Sequence, residues 1–114
     1  MAEFVKVLTL ADLPPGTARK VEVDGRRIAV VNARGTVYAV DDVCTHEDES
    51  LSEGPVLGEI LVCPKHGSRF HVPTGRVLSL PAVRPVNTYA VRVEGDEILV
   101  SPEPRPGHGM PHKR

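Results

Sequence analysis

The chain has no tryptophan and no glutamine, only two asparagines (Asn32 and Asn87), and aromatic side chains make up just 4% of it. So few aromatics disfavour a stacking platform for single-stranded nucleic acid. The shortage of amide side chains, with 11 prolines, fits a heat-adapted source and a biased genome composition alike. No excess of either charge sign is present: the formal net charge is −1, which gives no reason to expect nucleic acid or a membrane surface as partner. No apolar run reaches the ~18–20 residues needed to span a bilayer. The opening Met1-Ala2-Glu3-Phe4-Val5-Lys6 lacks the basic and apolar segments of a secretory signal. The expected location is the cytoplasm. Cysteine is limited to Cys44 and Cys63, each followed closely by histidine. In a reducing compartment such pairs read as metal ligands before they read as a disulfide.

What is present suits one small domain of 114 residues with ordinary hydrophobic (40%) and charged (25%) fractions. A bound group joining distant loops would add stability to so modest a core. Short alternating apolar segments predict strands at 4–8, 17–23, 28–31, 36–40, 59–62, 69–72, 77–78, 86–93 and 97–100. Asp24-Gly25 is a strong two-residue hairpin signal, and Ala33-Arg34-Gly35 turns the chain again. No stretch of ten or more residues shows helical periodicity. The expectation is an all-β fold, a sandwich or barrel of short strands. The polar, acidic stretch 41–55 reads as a long loop, of a length that is usually functional or disordered. The Pro- and Gly-rich segment 103–114 cannot build core and is expected to be a disordered tail, with His108 and His112 as solvated residues.

Cys44-Thr45-His46 and Cys63-Pro64-Lys65-His66 are mixed pairs separated by sixteen residues, each just past a predicted strand end. A thiolate and an imidazole two or three residues apart can aim at one point from a tight loop. Two such loops give two sulfur and two nitrogen ligands. That set suits a tetrahedral Zn²⁺ or an iron–sulfur centre in which two histidines replace two cysteines. A third possibility is that the cysteines are simply small buried apolar residues.

The flanking residues resemble the Rieske family. Cys44-Thr45-His46 is followed by Leu51-Ser52-Glu53-Gly54, the Leu-x-x-Gly of its first ligand loop. Cys63-Pro64-Lys65-His66-Gly67-Ser68-Arg69-Phe70 runs on to Thr74-Gly75 and Pro81, matching the second loop and its sequel. A structural zinc loop has no need of a glycine after His66. A sulfide-bridged cluster does, since Gly67 lets backbone N–H groups approach the sulfurs. The resemblance implies a Rieske-like antiparallel β-sandwich over 1–102, with a small subdomain of two cluster-binding loops at 41–55 and 63–70. It implies one [2Fe–2S] cluster, with Cys44 and Cys63 on one iron and His46 and His66 on the other. Neutral imidazoles in place of two thiolates raise the potential, to roughly −150 to +300 mV for such centres.

High-potential members of this family carry an extra cysteine in each loop, joined as a disulfide. Glu49 and Lys65 stand there instead, and Phe70 replaces a tyrosine. Ser68 is shared, and its hydroxyl can donate to a bridging sulfide. Fewer donors leave the reduced cluster less stable, so a low-potential centre is expected. Asp41, Asp42, Glu47, Asp48, Glu49 and Glu53 crowd the first loop, as solvated charge or as a docking face for a basic partner. The resemblance implies an electron carrier, not an enzyme, similar to the ferredoxins of multicomponent aromatic-ring dioxygenases. Its transient partners would be a flavin-dependent reductase and a terminal oxygenase. A small subunit of an assimilatory nitrite reductase, or a zinc-stabilised or metal-free β interaction domain, are the alternatives.

Overall fold

A computed structural model describes residues 3–44, 50–65, 67–79 and 84–107. The chain forms β1 (Val5–Thr9), β2 (Thr17–Val23), β3 (Arg26–Ala33), β4 (Thr36–Asp41), β5 (Val56–Leu57) and β6 (Ile60–Val62). There follow β7 (Arg69–His71), β8 (Arg76–Val77), β9 (Thr88–Tyr89), β10 (Val91–Glu94) and β11 (Glu97–Val100). Short 3-10 turns lie at Leu10–Asp12 and Leu51–Glu53. The strands build three antiparallel sheets, ordered β1-β11-β10, β2-β3-β4-β9 and β5-β6-β7-β8. The expected all-β antiparallel architecture is what the chain adopts.

Local chemistry sets the two hairpins of the middle sheet. Asp24 and Gly25 both take positive φ (57° and 79°), as do Arg34 and Gly35 (57° and 96°). That geometry gives a twist that matches the flanking strands. The second turn is held by Asn32, whose Oδ1 accepts the Gly35 N–H at 2.8 Å while its Nδ2 donates to the Leu13 carbonyl at 2.8 Å.

β3 explains why the middle sheet is buried on both sides. Its side chains alternate between two cores. Ile28 and Val30 pack with Leu8, Ile98 and Val100 of the first sheet. Ala29, Val31 and Ala33 pack with Leu61, Phe70 and Val77 of the third. β4 divides likewise, Ala39 to one core and Val40 to the other. A strand covered on both faces reads as a continuous apolar run, as 28–31 does. Each fully buried Val, Leu or Ile there contributes about 1.5–3 kcal/mol. The third sheet is thereby fixed against a rigid layer, and the loops that leave it inherit that position.

The single strand expected over 86–93 is two. β9 pairs with β4 (Ala39 opposite Tyr89), whereas β10 pairs with β11 (Val91 opposite Val100). Between them the Ala90 carbonyl accepts the Ser101 N–H at 3.0 Å, and the chain changes sheets. Of the Pro- and Gly-rich segment, residues 103–107 lie beside β9. Arg105 and Thr88 exchange two backbone hydrogen bonds, both 2.8 Å. Residues 108–114, with His108 and His112, lie outside the described residues. No helix among the described residues is long and apolar enough to cross a membrane.

Candidate metal centre

The first loop leaves the end of β4 through two adjacent aspartates whose side chains do different work. Asp41 Oδ1 accepts the Tyr89 hydroxyl at 2.5 Å, and its Oδ2 accepts the Asn87 N–H at 3.1 Å. Asp42 is fully buried. Its Oδ1 accepts the Ser52 N–H at 2.7 Å and its Oδ2 accepts the Ser50 hydroxyl. Its backbone is spoken for as well: its N–H donates to the Arg27 carbonyl and its own carbonyl accepts the Leu51 N–H, each 3.1 Å. Val43 and Ser50 form a β-bridge. The loop is thus closed at its neck, and Cys44 stands just inside that closure, buried.

The second loop is a tight turn between β6 and β7. The Gly67 N–H donates to the Cys63 carbonyl at 3.0 Å, and the Cys63 N–H donates to the Ser68 carbonyl at 2.8 Å. Gly67 has φ +79°, a conformation that favours glycine. Cys63, Ser68 and Phe70 are all buried.

The two loops are locked together by the residues of the Leu-x-x-Gly signature. Leu51 is fully buried in the core that contains both Cys44 and Cys63. Gly54 lies so close to the neighbouring strand that a Cβ on it would stand 1.7 Å from the Val62 carbonyl oxygen. The Val62 N–H donates to the Pro55 carbonyl at 3.1 Å, one residue before Cys63. A glycine is required there by close backbone approach, not by its φ of −91°.

A third segment closes behind the second loop. The Thr74 and Gly75 N–H groups donate to the His71 carbonyl at 3.3 and 2.7 Å, and the Val86 N–H donates to the Gly75 carbonyl at 2.9 Å. His71 is held by Thr74 Oγ1 (2.9 Å) and Glu59 Oε1 (3.2 Å), a strand residue engaged in its own contacts. Pro81 lies outside the described residues.

Of the four expected ligands, the structure places Cys44 and Cys63 in one apolar cluster, neither of them in a disulfide. His46 and His66 lie outside the described residues, together with Glu47, Asp48 and Glu49. Among the described residues no group of three or more histidines, cysteines or acids could hold a metal ion, a set that contains only half of the expected ligands. The thiols fit a sulfur-bridged iron pair on two observations. They are buried and unbridged where two loops converge, and the turn beside Cys63 brings Gly67 and Ser68 backbone close, as hydrogen bonds to sulfur require.

The acidic first loop is only partly a surface. Asp41 and Asp42 are bonded inward, which the spacing of carboxylates in the sequence does not reveal. The signal in the sequence is Asp41-Asp42, separated by Val43 alone from a ligand-type cysteine, with Ser50 and Ser52 eight and ten residues after Asp42. Tyr89, buried and bonded to Asp41, has its pKa raised, first by burial and then by that hydrogen bond and the aspartate charge.

Comparison with known proteins decides among the metal-binding alternatives. The model of the Rieske [2Fe–2S] domain matches residues 3–90. The chain belongs to the Rieske [2Fe–2S] family. It is 40% identical over 98 residues to the biphenyl dioxygenase ferredoxin subunit of Pseudomonas sp. strain KKS102, covering 85% of this chain and 90% of that one. The ferredoxin of carbazole 1,9a-dioxygenase from Nocardioides aromaticivorans IC177 superposes with a TM-score of 0.84 at 41% identity, covering 88% and 98% of the two chains. A ferredoxin in complex with the oxygenase of carbazole 1,9a-dioxygenase gives 0.85 at 38% identity, over 90% and 95%. As a Rieske ferredoxin the chain binds one [2Fe–2S] cluster and is an electron carrier, not itself a catalyst. The zinc-stabilised and metal-free readings are set aside by this membership.

Proposed function

We propose that the chain carries single electrons from a flavin-dependent reductase to a terminal oxygenase of a multicomponent dioxygenase system, in the cytoplasm. The ligands in this reading are Cys44 and Cys63 on one iron and His46 and His66 on the other. The observation that carries it is the pair of buried, unbridged thiols at the necks of two converging loops, in a Rieske ferredoxin chain. The cluster supplies one-electron chemistry at a potential set by its ligands and hydrogen bonds. The protein's part is to hold the loops rigidly, so little rearrangement accompanies each transfer, and to exclude water from the thiolate side. Encounters with partners are brief, as suits small redox interfaces. In this reading the cluster-bearing unit is residues 1–102, whose last sheet strand ends at Val100, and residues 103–107 add a pairing with Thr88 to it.

The related ferredoxins at 38–41% identity serve dioxygenases, which favours this reading over a nitrite reductase small subunit. The ligand assignment is tested by iron and acid-labile sulfide analysis with visible spectra of the purified chain and of Cys63→Ala. Two irons and two sulfides per wild-type chain are expected, with a colourless variant. A variant with an unchanged spectrum overturns the assignment. The partner assignment is tested by reducing the chain with reductases and oxygenases copurifying from its source. Reduction by a flavin reductase and reoxidation by an oxygenase are expected.

A further inference from the structure

Asp42 is a carboxylate with 0% exposure. Burying a charge is costly unless it is paired and fully hydrogen-bonded. Here two donors meet it, the Ser50 hydroxyl and the Ser52 N–H. The chain accepts that cost at one particular place. Asp42 stands two residues before Cys44, within about 7 Å of it from Cα to Cα even if fully extended. Its bonds span the neck of the first ligand loop, from residue 42 to residues 50, 51 and 52. Neighbouring Asp41 reaches to Asn87 and Tyr89 instead, so the two carboxylates anchor separate segments.

We propose that Asp42 is a positioning residue that sets the reduction potential of the centre, by closing the first ligand loop and by placing a fixed negative charge beside it. The inference rests on Cys44 being a ligand. Adding an electron near a buried anion is disfavoured, and screening is weak where solvent is absent. The buried carboxylate thus depresses the potential independently of the donors missing around the sulfurs. Asparagine keeps the size and one acceptor oxygen while removing the charge. Ser50→Ala does the converse: it keeps the charge and removes one donor that disperses it.

The test is protein-film voltammetry at pH 7 on the holoprotein, with iron content measured for every sample. Asp42→Asn is expected to hold its cluster and shift its midpoint positive, well beyond the scatter of repeated scans. Ser50→Ala is expected to shift negative. Asp24→Asn, in the exposed β2–β3 turn, serves as control and should not move. A loaded Asp42→Asn protein with the wild-type midpoint overturns the proposal. If Asp42→Asn does not assemble, Ser50→Ala decides: a negative shift supports the proposal and a wild-type midpoint overturns it. Wild-type protein lacking iron and sulfide would instead overturn the cluster reading itself, which separates the two failures.

Discussion

Tyr89 donates its hydroxyl to Asp41 Oδ1 across 2.5 Å, joining residues 48 positions apart. This bond ties β9 to the strand end from which the first loop departs. Removing it in Tyr89→Phe leaves Asp41 with the Asn87 N–H alone on its other oxygen. The expected loss is about 2 kcal/mol, typical of a hydrogen bond to a charged group. Chemical denaturation should show a lower midpoint with an unchanged slope. The pH dependence has a definite sign. Tyr89 has a raised pKa in the fold, from burial first and then from Asp41. Its contribution is complete below the unfolded tyrosine value of about 10 and declines as pH rises above it. Wild-type stability should therefore fall more steeply above that pH than that of Tyr89→Phe. Parallel alkaline losses in the two proteins would contradict the role given to this pair.

Gly54→Ala tests the lock between the two ligand loops. The new methyl would stand 1.7 Å from the Val62 carbonyl oxygen and 3.2 Å from Pro64 Cδ, and the first of these is backbone that cannot swing aside. One loop must move away from the other. Overpacking of this kind costs about 1–3 kcal/mol, or more where the obstacle is main chain. Because the displaced strand leads directly into Cys63, cluster retention should suffer along with stability. Iron content after gel filtration and the thermal midpoint should both fall. Gly35→Ala is the contrasting case, since its Cβ meets nothing within 4 Å and only the φ of +96° resists it. It should lose stability and keep its iron.

The parts of this structure that were legible in the sequence are those encoded locally. The Asp24-Gly25 and Arg34-Gly35 turns need positive φ, and their residues announce it. The strands Thr17–Val23 and Glu97–Val100 carry their own alternation and end where expected. The two cysteines stood out because their residue types are rare in the chain. What escaped notice depends on partners distant in sequence. Residues 86–93 look like one strand, yet Ala90 is bonded to Ser101 and the segment serves two sheets. β5 is two residues long and exists only by pairing with β6. Asp41 and Asp42 read as surface charge because nothing local says that Tyr89 and Ser52 will meet them.

Replacing an imidazole by a thiolate tests the nitrogen side of the ligand set. His46→Cys adds negative charge to the centre and strengthens electron donation to its iron. Where the variant assembles, its potential should drop from the Rieske range towards that of all-cysteine clusters, near about −400 mV. The same direction is expected for His66→Cys. His71→Cys should leave the potential where it is, since both ring nitrogens of His71 are engaged, with Thr74 and Glu59. Voltammetry on the three variants distinguishes them. A drop in His71→Cys without one in His66→Cys would mean the wrong histidine has been assigned.

The C-terminal segment offers the last test. Arg105 gives and receives a 2.8 Å backbone hydrogen bond with Thr88, and Gly107 sits against Gly75 and the Val86 carbonyl, which a Cβ on either glycine would approach to 2.2 Å. These contacts hold the chain at Pro85 and Val86, just before β9. A chain ending at Pro102 loses both hydrogen bonds and leaves a Thr88 N–H and carbonyl without partners. At about 0.5–1.5 kcal/mol for each bond, the truncation should cost about 1–3 kcal/mol. For a domain of this size that is a fall of very roughly 4–20 °C in melting temperature. A chain ending at residue 107 keeps every contact described and should melt with the full-length protein. Equal melting of the 102 and 107 truncations would show that the pairing at Arg105 adds nothing. A loss confined to the shorter chain would make residues 103–107 part of the folded unit, acting through Gly75 and Val86.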